Sequence, residues 1–267
     1  VSLNQLWQLM VDQNSGSVDD EADLQPMYAG TVEGGTASGS PVGFNQAMAD
    51  FIDSGSYWFD FDTDIEIAET ISYGFTTSNS FAAGYGEQSG WSTFTAAQKN
   101  AAREIMGLWD DLIAPGFVED TGSPNTADIK FSNSTTNTGF AHAYYPGQVG
   151  VDDYQFQKIQ GSVWLNPNYN SGANNLVTPQ SGVYGYMAIA HEIGHALGLD
   201  HAGNYNGGSP EYGNSSTGWL YEEDSNQYTI MSYFNASKTG AAWDGQNAQT
   251  PMVYDILAIQ QLYGADY

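Results

Sequence analysis

The sequence predicts a mixed α/β domain whose chemistry lies in its C-terminal part. Apolar residues recur at helical spacing in two segments, through Ala102, Ile105, Trp109 and Leu112 and again through Ile189, Ile193, Ala196 and Leu197. Around them stand short strand-like runs: "ISYGFTT" (71–77), "ADIKFS" (127–132), "GFAHAYY" (139–145) and "GSVWLN" (161–166). Three of the four histidines fall within residues 191–201, "HEIGHALGLDH".

Taken in order, residues 1–60 read as an N-terminal segment packed on the main domain. Leu3, Leu6, Trp7 and Met10, then Phe44, Ala47, Met48, Phe51 and Ile52, have helical spacing, with a Gly/Ser/Thr loop between them. The main domain is expected over 61–267, with an upper part to about 198 and a lower one from about 199. After the first strand, Thr95 and Gln98 form a capping-box pair that opens a long helix, and Pro115-Gly116 ends it. Three strands follow, then a helix from about Tyr184 to Leu197, a polar Gly/Asn-rich stretch to Gln227, and "TIMSYF". "PMVYDILAIQQLYG" closes the series as a helix with proline at its start and glycine at its end.

Composition narrows the function. Five basic against 31 acidic residues give a net charge of −26. Such a field repels phosphates and anionic membranes, so nucleic acid is excluded as a partner. The acidity reads as a solubilising shell suited to secretion or to salty water. With no cysteine there is no disulfide framework and no thiol chemistry. No apolar run is long enough to span a membrane. The chain opens at Val1 without a basic leader, so any leader is expected to have been removed.

On an α-helix each residue advances about 100°. Ile189, Ile193, Ala196 and Leu197 then share a core face within about 80°, and His191 and His195 lie together on the opposite one. Glu192 stands beside them, in reach of a water bound to a metal they hold. Gly198 is placed to end the helix with a left-handed residue, letting the chain turn back and offer His201 as a third ligand. Three imidazoles with an open position describe a catalytic zinc site rather than a structural one.

HExxHxxGxxH followed by a methionine turn resembles the metzincin endopeptidases, and within them the secreted bacterial serralysins. The likeness rests on "HEIGHALGLDHAGNYNGG", "TIMSYF" and "DILAIQQLYGA", and more loosely on the strands from about Ile71. It implies a twisted, mixed five-stranded sheet with one antiparallel edge strand, long helices behind it, and a smaller C-terminal subdomain below the zinc cleft. It implies one catalytic zinc ion on His191, His195 and His201, Glu192 as general base, and Met231 as the floor beneath the imidazoles. Tyr233 stands where the family's tyrosine binds zinc in the resting enzyme and then donates to the oxyanion; by itself "MSY" reads equally as an ordinary tight turn. The edge strand that receives substrate backbone maps onto Ala141, His142, Ala143 and Tyr144, with His142 read as a rim or surface residue. Asp255 is read as a hydrogen-bonding structural group. The implied protein is a secreted, extracellular, monomeric peptidase acting on proteins or peptides.

The chain departs from the family at Ala202, usually proline, and at Asn204, often aspartate. The calcium-binding nonapeptide repeats that usually follow are absent before Tyr267, as in an autolytic fragment, a trimmed form or a short relative. "DFDTD" places Asp60, Asp62 and Asp64 as in half a calcium loop, but Ile65 and Ile71 replace its glycine and glutamate. A simple strand accounts for it better, so calcium is possible but not expected to be required. Two rivals remain at this point: a protease completed by a distant glutamate, Glu222 or Glu223, and a catalytically silent zinc-binding adhesin or toxin module. The metzincin spacing speaks against the first and the intact Glu192 against the second.

Overall fold

Thr95 begins the framework that positions the site. Its hydroxyl accepts from Gln98 N (3.1 Å) while Gln98 Oε1 accepts from Thr95 N (2.7 Å), so both orphan donors are satisfied and a helix can start. The computed structural model describes residues 56–60, 66–67, 70–147 and 158–266. Helix α1 spans Ala96–Asp110, α2 Tyr184–Ala196 and α3 Val253–Tyr263.

The strands are β1 (Phe59–Asp60), β2 (Glu66–Ile67), β3 (Thr70–Phe75), β4 (Trp91–Ser92), β5 (Gly116–Glu119), β6 (Ile129–Ser134), β7 (Ala141–Ala143) and β8 (Ser162–Leu165). β1 and β2 form a small antiparallel pair. The main sheet has the order β5-β3-β6-β8-β7, parallel throughout except that β7 runs antiparallel to β8 at the edge. β4 adds a sixth strand by pairing antiparallel with the end of β6. The expected five-stranded mixed sheet with an antiparallel edge is therefore present, enlarged by β4.

The central strand β6 is buried at every position although it reads Ile-Lys-Phe-Ser-Asn-Ser. Its polar side chains are tolerated because each finds a partner. Lys130 Nζ donates to the carbonyls of Ala127 (2.8 Å) and Asp128 (2.9 Å), and Ser132 Oγ lies 2.5 Å from Thr76 Oγ1. Asn133 exchanges hydrogen bonds with Gln98, which ties the start of α1 to the sheet (2.7 and 3.0 Å). Helix α1 packs on α2 and β5, and α2 packs on β7 and β8. Ile105 and Trp109 of α1, Ile189 and Ile193 of α2, and Ile129, Phe131, Val163 and Leu165 of the sheet are all fully buried in one core. Burial of each such side chain contributes about 1.5–3 kcal/mol, so α2 is held by its apolar face rather than by its ends.

The N-terminal helices expected at Leu3–Met10 and Phe44–Ile52 lie outside the described residues, as do Asp62 and Asp64. Tyr57 and Trp58, at the end of that segment, belong to the core. Trp58 donates through N to Tyr263 Oη and through Nε1 to Ala196 O (both 2.9 Å), and Tyr263 Oη donates to Leu197 O (2.7 Å). These bonds fix the end of α2, where the site begins.

Candidate metal centre

The end of α2 is a Schellman cap. Leu199 N donates to Gly194 O and Gly198 N to His195 O (both 2.9 Å), with Gly198 at φ +104°. A Cβ on Gly198 would stand 2.1 Å from Ser56 O, so only glycine both adopts this conformation and fits. The reversal brings His201 against the helix that carries His191 and His195. The ligand atoms of these three residues all lie within 4.8 Å of one another, and they are the one such group among the described residues. Glu222 and Glu223, on which a glutamate-completed site would depend, are not in it.

Second contacts set the ring orientations. His191 Nδ1 lies 2.7 Å from Ile230 O, and His195 Nδ1 lies 2.7 Å from Leu199 O. Carbonyls only accept, so these Nδ1 atoms carry the hydrogens and each Nε2 keeps its lone pair. His195 Nε2 and His201 Nε2 face each other at 3.0 Å. Burial, reinforced by the neighbouring imidazoles, pushes His191 and His201 down to about 3 and His195 well below its usual value. All three are therefore neutral at pH 7. The His195 Nε2 lone pair points at the His201 ring, and three neutral imidazoles whose ligand atoms converge this closely fit a metal ion. Three neutral nitrogen donors suit zinc.

Glu192 is 6% exposed and its Oε2 has no hydrogen-bond partner. Burial alone pushes its carboxyl up to about 8. An adjacent positive charge acts in the opposite direction, so loading the histidine cage favours the carboxylate.

Met231 is fully buried against α2. A Cβ on Gly194 would meet its Sδ at 2.7 Å, so the glycine of HEIGH makes room for the methionine. Asp255 holds the first half of this turn. It accepts from Thr229 Oγ1 (2.6 Å), Ile230 N (2.9 Å) and Met252 N (2.7 Å). Because Ile230 O orients His191, the structural role read for Asp255 reaches the metal centre. Tyr233 lies beside the His201 ring (centroids 4.7 Å apart), and its phenolic oxygen accepts from Gly207 N (3.1 Å). Burial raises its pKa, so the phenol keeps its proton.

β7 lines the sheet edge beside α2. Phe140 O accepts from Asn166 N (3.0 Å) and Tyr144 N donates to Ser162 O (2.9 Å), so alternation leaves the Ala141 and Ala143 peptide groups facing away from β8. His142 is bonded inward to the buried Glu87 (Nε2 to Oε1, 3.0 Å). Hydrogen bonds from His142 and Asn137 outweigh burial and hold the Glu87 carboxyl below its usual value. Tyr145 Oη donates to Asp200 Oδ1 (2.9 Å), which also accepts from His201 N (2.7 Å).

A family model described as metallo-peptidase family M12 matches residues 60–243. The chain belongs to metallo-peptidase family M12. It is 37% identical to a serralysin of Proteus mirabilis over 182 residues, 65% of this chain and 35% of that protein. It is 36% identical to serralysin B of Dickeya chrysanthemi over 209 residues, 74% of this chain and 40% of the relative. Metalloprotease AprA of Pseudomonas entomophila is 34% identical over 245 residues, 88% of this chain and 47% of its own. The chain thus spans between about a third and a half of the length of these relatives. The resemblance to serralysin-type metzincins is borne out.

In this M12 chain the structure brings together His191, Glu192, His195, His201, Met231 and Tyr233. Ala141, His142 and Ala143 form the edge strand beside α2, and Tyr144 directly follows it. Ala202 is fully buried and Asn204 N donates to Gly218 O (2.8 Å), so the two departures leave the loop after His201 tied down. Sequence reasoning passed over Tyr205, Asp224 and Glu87. Their partners are remote in sequence, and no local spacing marks them.

Proposed function

We propose that this chain is a zinc-dependent endopeptidase that hydrolyses internal peptide bonds of proteins. The observation that carries the proposal is the convergence of three neutral imidazoles, His195 and His201 buried and His191 half-buried, beside a buried glutamate with an unpartnered oxygen. His191, His195 and His201 would hold the ion, with Tyr233 as a further ligand in the resting state. Zinc bound there supplies Lewis acidity, acidifying water and polarising a carbonyl. Glu192 takes the proton from the attacking water at its carboxylate and passes it to the leaving amine. The Tyr233 phenol, kept protonated by burial, donates to the oxyanion. The outward-facing peptide groups of Ala141 and Ala143 receive the substrate backbone by strand addition, with His142 and Tyr144 anchoring that strand from Glu87.

We further propose a catalytic domain over 61–267, whose lower part begins near 199, preceded by an N-terminal segment over 1–60. No described helix is long and apolar enough to cross a membrane. We infer secretion from the serralysin resemblance and the acidic surface, action as a monomer, and no requirement for calcium. Casein digestion tests the activity: 1,10-phenanthroline should abolish it and added zinc should restore it. A silent zinc-binding module would bind the metal and leave casein intact.

A further inference from the structure

The second half of the methionine turn has its own anchor. Asp224 is fully buried, and its Oδ1 accepts from Ser232 Oγ (2.6 Å) and from Tyr205 Oη (2.8 Å). Ser232 Oγ in turn accepts from Phe234 N (3.0 Å), and Tyr205 Oη accepts from Tyr233 N (3.3 Å). The Tyr205 hydroxyl therefore has a fixed polarity, with its proton committed to Asp224 and its oxygen to the Tyr233 backbone. The Tyr205 ring lies 4.7 Å from the Tyr233 ring and 5.5 Å from the His201 ring. One side chain thus touches both a candidate metal ligand and the candidate oxyanion donor. Asp224 Oδ2 has no hydrogen-bond partner, a cost that packing alone does not require.

Tyr233 needs such support. It is 41% exposed, so it is packed on one side only, and its phenol rests on Gly207 N at the loop that follows Tyr205. A donor that must meet a developing charge loses much of its effect when misplaced by about 1 Å.

We propose that Tyr205 and Asp224 are positioning residues for Tyr233: the carboxylate fixes the Tyr205 hydroxyl, and that hydroxyl and ring set where the Tyr233 phenol acts. The proposal rests on the reading of Tyr233 as oxyanion donor. Tyr205→Phe keeps the ring and removes both hydrogen bonds. It is expected to lower kcat by about 3- to 30-fold, with KM and zinc content changed less than about twofold.

The test is a double-mutant cycle on a peptide substrate with Tyr205→Phe, Tyr233→Phe and the double variant, each zinc-loaded. In the Tyr233→Phe background, Tyr205→Phe should change kcat by less than about twofold, because the group it positions is gone. Losses that multiply would mark a general structural role and overturn the proposal. So would a Tyr205→Phe enzyme at wild-type rate when Tyr233→Phe is slow. Tyr233→Phe at wild-type rate would instead overturn the donor reading itself, and this proposal with it. Asp224 gives an independent arm. Asp224→Asn retains an acceptor for both hydroxyls and should keep kcat within about threefold, whereas Asp224→Ala should reproduce the Tyr205→Phe loss. Equal effects of the two Asp224 substitutions would overturn the assignment.

Discussion

Replacing Gly198 with alanine should damage both stability and metal binding, and the size can be worked out. The residue sits at φ +104°, where an L side chain costs about 1–2 kcal/mol. Its new Cβ would stand 2.1 Å from Ser56 O, a backbone atom that cannot rotate away. Relieving such overpacking typically costs about 1–3 kcal/mol more. The total, about 2–5 kcal/mol, corresponds to a fall in Tm of roughly 4–20 °C for a domain of this size. The strain falls on the cap that presents Leu199 O to His195 and carries the chain to His201, so zinc affinity should drop as well. Thermal melts with and without zinc, together with a competition titration against a chelator of known affinity, read both effects. A Tm within about 2 °C of wild type together with an unchanged zinc affinity would refute the reasoning.

Burial pushes Lys130 down to about 8 from 10.5, so the folded state favours its neutral form. The resulting penalty is fully present below pH 8 and is relieved as pH rises toward 10.5. Urea unfolding should show wild type gaining up to about 3 kcal/mol on Lys130→Met across that window, and a flat difference would contradict it. EGTA, used with enough zinc to keep the centre filled, should leave activity and Tm nearly unchanged; a fall reversed by calcium alone would point to a calcium site and to Asp60, Asp62 and Asp64. With a net charge of −26, screening should raise Tm between low salt and about 0.5 M NaCl, and a flat or falling Tm would count against self-repulsion.

What the sequence made legible was whatever repeats or spaces itself locally. The capping pair at Thr95 and Gln98, the opposed faces of α2 and the glycine at its end are all short-range patterns, and each appears in the structure as read. β4 and β5 escaped. β4 is two residues long, and β5 follows directly on Pro115, where the sequence announces only the end of a helix. β6 was recognised as a strand, but its lysine, serines and asparagine hide that it is buried throughout, because their partners come from other elements. The metal centre was legible because its three histidines lie within eleven residues. Its supports were not. Asp224 reaches Tyr205, 19 positions earlier, and Glu87 reaches His142, 55 positions later, and no periodicity links such pairs.

The central claim is that Glu192 acts as the base beside a metal held by His191, His195 and His201. It is tested most directly by kcat/KM of Glu192→Gln on a peptide substrate, with bound zinc measured on the same sample. The substitution preserves size and all three imidazoles and removes the group that accepts the proton. The account predicts full zinc occupancy with a rate lowered by about 10²–10⁴. Zinc-loaded Glu192→Gln retaining more than about a tenth of the wild-type rate would contradict it.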